Sequence, residues 1–151
     1  MRSTTIFVVF GGLLLAMVLF AALNHYFTNA HPVVRTVKQF MQSVATGDAV
    51  TVERIVDTSK YATVTKADSQ LGSIRFTGNT PTEGAFAQRP EAVWTGGNLQ
   101  KLAIDPKTPP VIVESQGAAT IKLTNGGKIY FHKVGEAWKI YYISKPEDEV
   151  K

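Results

Sequence analysis

The sequence predicts an α+β protein: an amino-terminal transmembrane helix, then two helices packed on a curved antiparallel sheet of about 4–6 strands. Three observations predict it. Residues Ile6–Leu23 run IFVVFGGLLLAMVLFAAL without a charge or a strong hydrogen-bonding side chain. Val33, Val34, Val37, Phe40, Met41 and Val44 recur at the helical period. The last third alternates apolar and polar residues around Asn125-Gly126, a strong hairpin signal.

At ~1.5 Å per residue the first run would reach roughly 27 Å, close to the ~30 Å hydrocarbon core of a bilayer. Asn24, His25 and Tyr26 follow, residue types suited to a headgroup layer. The rival reading is a cleaved secretory signal, with Arg2 as its basic start and Thr28-Asn29-Ala30 as a weak cleavage site. The run exceeds the ~7–15 residues of a secretory core, so the anchor is the expectation. The domain plan is a short tail, span (about 6–26) and link over 1–30, an α+β domain over 31–145, and a charged tail over 146–151. A five-residue MRSTT tail is easily left in the cytoplasm. The expected location is therefore a bacterial inner membrane, with the carboxy-terminal domain in the periplasm or outside. Gly11, Gly12 and Ala16 form a small-residue face that would let another helix approach, and the bilayer and a larger integral membrane protein are the expected partners.

Composition narrows the chemistry. The chain has 151 residues and no cysteine, which removes disulfides, thiol nucleophiles and cysteine-ligated metals. The net charge of +4 is spread out: Lys122, Lys128, Lys133, Lys139 and Lys145 recur along predicted strands instead of forming one patch. No nucleic-acid surface is expected from that pattern.

Element by element, Pro32 suits the first turn of a helix that runs to Thr46, and Gly47 is placed to close it in a left-handed conformation. Asp48 can cap a second helix through about Val56. Tyr61–Thr65 and Leu71–Thr77 are plausible strands. Gly78 to Gly97, with Pro81 and Pro90, reads as a long loop and a candidate contact surface, in which Phe86 and Trp94 are either core anchors or exposed partner-binding aromatics. Leu99–Ile104, Val111–Glu114, Ala118–Thr124, Lys128–Val134 and Ala137–Ile143 complete an antiparallel meander. In it, Ile129 and Phe131 share a face, and Trp138, Ile140 and Tyr142 alternate with Lys139, Tyr141 and Ile143. Lys145 to Lys151 offers nothing to bury.

The segments VVRTVKQFMQSVATGDAVTVERIVD and GGKIYFHKVGEAWKIYYIS, with their helix–Gly-Asp–helix joint and final Trp138 hairpin, resemble the nuclear-transport-factor-2-like (cystatin-like) α+β superfamily. That resemblance implies either pocket Asp/His chemistry or a non-enzymatic binding domain, so the fold alone does not choose. His132 is the one histidine on a predicted strand, with Asp57 and Asp105 the best-placed acids. Its parity with Lys128 and Tyr130 turns it away from the core, which favours a structural or surface histidine over a catalytic base. His25 and His31 lack metal-ligand spacing, and no phosphate loop or nucleophile elbow is present. No catalytic residue, cofactor or metal is expected.

The function expected is thus a single-pass, membrane-anchored accessory or assembly subunit. Its build resembles the inner-membrane, periplasmic-domain assembly factors of type IV secretion systems. Phe86, Trp94, Tyr130 and Tyr141 are its candidate contact residues. The alternatives are a module binding an apolar small molecule between helices and sheet, and an acid–base enzyme using His132.

Overall fold

The computed structural model describes residues 11–22, 31–81 and 88–149. The chain divides into two compact units, Met1–His31 and Pro32–Lys151.

In the first unit, residues 11–22 form helix α1, on which Gly11, Gly12 and Ala16 are exposed. Among the described residues, no helix is long and apolar enough to cross a membrane. The expected transmembrane helix is therefore corrected, and with it the single-pass inner-membrane location. The remainder of the expected span, at 6–10 and 23–26, lies outside the described residues.

In the second unit, α2 (Pro32–Thr46) turns its apolar stripe inward, with Val33, Val37, Phe40 and Val44 buried. Gly47 follows with φ +71°, and the Asp48 carboxylate accepts the amide of Thr51 to open α3 (Ala49–Ile55). The left-handed glycine and the Asp cap together reverse the chain within two residues, as the Gly-Asp pair implied.

The single curved sheet is also corrected: the strands form two sheets. The first, in order β1-β2-β3, joins β1 (Ala62–Ala67), β2 (Gln70–Phe76) and β3 (Ala92–Thr95), all antiparallel. The second runs β4 (Val111–Val113), β5 (Ala118–Lys122), β6 (Lys128–Val134) and β7 (Ala137–Ile143), also antiparallel. The reason for the break lies on β7. Its Ile140 carbonyl accepts the Asp57 amide at 2.8 Å, and its Ile143 carbonyl accepts the Trp94 indole N–H at 3.0 Å. With those acceptors satisfied by a helix exit and a side chain, no fifth strand adds there.

Two further expectations change. Within the expected loop Gly78–Gly97, Ala92–Thr95 is strand β3, and Gly96–Leu99 is a short helix α4 capped by the Thr95 hydroxyl on the Asn98 amide. The expected strand Leu99–Ile104 is absent: Leu99 closes α4, and Ile104 makes only an isolated bridge to Leu123. Asp105 ends that bridge by accepting the Lys107 amide and the Thr108 hydroxyl, just before Pro109-Pro110.

Candidate functional site

A register change at the centre of β6 and β7 decides where the site residues point. Tyr130 pairs with Tyr142, yet Phe131 pairs with Ile140, so Tyr141 is an extra residue on β7, a β-bulge. Beyond it the side-chain parity of β7 reverses. Ile143 joins Ile129 on one face with Phe131 and Ile140, while Tyr142 moves to the face of Tyr130 and His132. Simple alternation had placed Tyr142 with Trp138 and Ile140, and the bulge is why it is not there.

The second face is not a wet one. A continuous layer of rings covers it. His132 meets Tyr61 edge-on at 5.1 Å and Tyr141 at 5.4 Å. Tyr130 lies 6.1 Å from both Tyr141 and Tyr142, and Tyr142 lies 5.9 Å from Phe76. Such tilted and edge-to-face contacts at ~5–6 Å are favourable beyond area burial alone.

Each end of the layer carries a charged group. At one end His132 Nε2 lies 2.6 Å from Asp57 Oδ2, and the two side chains are 13% and 8% exposed. Asp57 Oδ1 accepts both the amide (3.1 Å) and the hydroxyl (2.6 Å) of Ser59. Burial pushes the Asp57 carboxyl up, but the Ser59 hydrogen bonds and the His132 contact outweigh it and hold Asp57 below the ordinary carboxylate range. A carboxylate only accepts, so the proton between the two groups belongs to Nε2. Chemically this is a histidine oriented by an acid, the arrangement that proton transfer requires. At the other end the Arg89 guanidinium stacks 4.0 Å over the Tyr130 ring. Glu149 accepts the Tyr130 hydroxyl at 2.6 Å and pairs with Lys128 at 2.7 Å. Glu149 sits in the short 3₁₀ turn Pro146–Glu149, so the tail expected to bury nothing supplies a carboxylate that is 15% exposed.

A cleft opens elsewhere on this unit, between α2, the end of α3 and the β6–β7 hairpin. Its volume is about 430 Å³, and Pro32, Arg35, Thr36 and Gln39 line one wall. Arg54 and Ile55 come from α3, and Glu136, Ala137, Trp138 and Lys139 from the hairpin. Residues 32, 35, 36 and 39 are spaced i, i+3, i+4 and i+7, one stripe of α2 beside its buried one.

Trp94 is folded back into the core, 6% exposed, and Tyr130 is buried beneath Arg89. Tyr141 remains partly exposed, and Phe86 lies outside the described residues. Of the two acids considered beside His132, Asp57 meets it, whereas Asp105 is engaged by its own loop. Arg89, Glu149 and the cleft cations were not foreseen. Asp57-Thr58-Ser59 does carry a local signal, because Asp commonly accepts the amide two residues on. Nothing local links residue 57 to residue 132. No protein-family model, curated protein or solved structure matches this chain.

Proposed function

We propose that the Pro32–Lys151 unit is a small-molecule binding module. The observation that supports this is the 430 Å³ cleft, which falls within the ~300–1,000 Å³ usual for ligand sites. Its lining mixes apolar residues, Pro32, Ile55, Ala137 and Trp138, with polar and charged ones, the combination found in ligand sites. The ligand position differs from the one expected between helices and sheet, because Phe40, Ile129, Phe131 and Ile140 are fully buried and fill that space. The likeness to nuclear-transport-factor-2-like domains belongs to the same proposal, resting on the Gly-Asp helix joint and the Trp138 hairpin. A protein-contact role has less to stand on, since Trp94 and Tyr130 are covered by the molecule itself.

The test is a small-molecule screen on the isotopically labelled full chain by two-dimensional NMR. Binders should move the amides of Arg35, Thr36 and Gln39 and the indole of Trp138. Hits confined to other surfaces would reject the proposal.

A second reading, an acid–base site, is favoured by the 2.6 Å Asp57–His132 contact. It ranks lower because His132 does not line the cleft and is flanked by Tyr61 and Tyr141. Diethyl pyrocarbonate labelling with mass mapping separates the two, since a working base must expose Nδ1. An unmodified His132 in the folded protein would remove this reading.

A further inference from the structure

We propose that the cleft binds a small anionic ligand, a phosphate or carboxylate carried on an apolar body. This rests on the reading of the cleft as the ligand site and adds the chemical class. Three cationic residues from three different elements contribute to its lining: Arg35 from α2, Arg54 from the last turn of α3 and Lys139 from β7. Glu136 is the one acid in the lining. Over the whole chain lysine and arginine number 16 against 12 acids, so a ratio of three to one is a local concentration of positive charge. Among the described residues, no carboxylate comes within 4.0 Å of these three cations, whereas Lys66, Arg75, Arg89 and Lys128 each have one. Gathering like charges around one concavity costs free energy, and an anion there recovers it.

The remaining lining completes the class. Thr36 and Gln39 offer neutral hydrogen-bonding groups on the same stripe as Arg35. The first turn of α2 holds no acid, so its partial positive charge is not cancelled on its own helix. Two guanidinium forks suit the paired oxygens of carboxylate or phosphate better than a halide. Trp138, Ile55 and Pro32 supply apolar surface beside them, which a bare inorganic ion would leave unused.

The experiment uses the full chain with phenyl phosphate, benzoate, phenol and inorganic phosphate, read by chemical shifts of the Arg35, Gln39 and Lys139 amides and the Trp138 indole. Phenyl phosphate or benzoate should bind more tightly than phenol or inorganic phosphate, and added salt should weaken them. Arg35→Gln, Arg54→Gln and Lys139→Gln should each weaken binding about two- to fivefold, and the double arginine variant roughly tenfold or more. These positions are at the surface, so unchanged circular dichroism should verify the fold of each variant. If phenol or another neutral compound binds the cleft while both anions are inert, the anionic class is overturned and the binding module stands. If no probe moves any cleft resonance, both are overturned. Binding only to phosphatidylglycerol vesicles, with phenyl phosphate inert at equal phosphate concentration, would overturn the soluble-ligand form.

Discussion

At the scale of single residues, the Asp57–His132 contact is a polar pair taken almost wholly from water. Its worth lies in what its loss would leave behind. In His132→Ala, Asp57 keeps the Ser59 bonds and loses its ring partner, so urea unfolding should show a loss of about 2–3 kcal/mol. The pH dependence has a definite sign. Asp57, facing His132 and Ser59, and Glu149, facing Lys128, Tyr130 and Arg89, both have folded values below their ordinary ones of 3.8 and 4.5. Their stabilisation is present above those ordinary values and disappears as pH falls through the depressed ones. The melting temperature should therefore drop in acid below about pH 4.5, and less steeply in Asp57→Asn with Glu149→Gln. An unchanged acid limb in that double variant would contradict the assignment. The tyrosines act in the opposite direction. Burial, reinforced by the charges of Asp148 and Glu149, pushes Tyr142 up to about 12, and burial also raises Tyr130 and Tyr141. Their contribution is full below pH 10 and is lost as pH rises through the elevated values. Ultraviolet absorbance titration should accordingly show a group of phenols ionising late, merging with alkaline unfolding.

At the scale of elements, the connections matter more than the strands. Gly78 has φ +84°, its carbonyl accepts the Arg89 amide at 2.8 Å, and a Cβ there would collide with the Arg89 carbonyl. Gly78→Ala should cost about 2 kcal/mol or more in denaturant unfolding, since strain and backbone collision add. A near-neutral result would mean that this crossing of chain segments is not held as described. Trp94 links the two sheets through its indole N–H on Ile143. Trp94→Phe keeps most of the ring packing and removes that bond, so a loss of about 1–3 kcal/mol is expected, read by the same unfolding curves. The β3 strand that carries Trp94 was hidden in sequence because its four residues, Ala92–Thr95, are too few to show a period. The opposite held for α2, β6 and β7, whose predicted limits coincide with the observed ones. Each has enough residues for periodicity to dominate local noise, and each is flanked by glycine or proline.

At the scale of the whole molecule, the division at Pro32 predicts that a fragment beginning there folds alone. It should unfold in one cooperative transition, with fluorescence and circular dichroism coinciding; separated transitions would mean that residues 1–31 are part of the fold. The sequence by itself determined the α+β class, the two-helix start with its Gly47-Asp48 reversal and the final hairpins, because these depend on near-neighbour periodicity and on turn chemistry. Its reading of the apolar run as a membrane span is overturned, since among the described residues no helix is long and apolar enough to cross a membrane. Only the tertiary structure decided that the strands divide into two sheets, that a bulge at Tyr141 turns Tyr142 away from Ile140, and that Asp57 meets His132. It alone gathered Arg35, Arg54 and Lys139 around one cleft. All of these join residues far apart in sequence, and the energies that select them, satisfied carbonyls, buried charge and ring contacts, arise only after the chain has closed on itself.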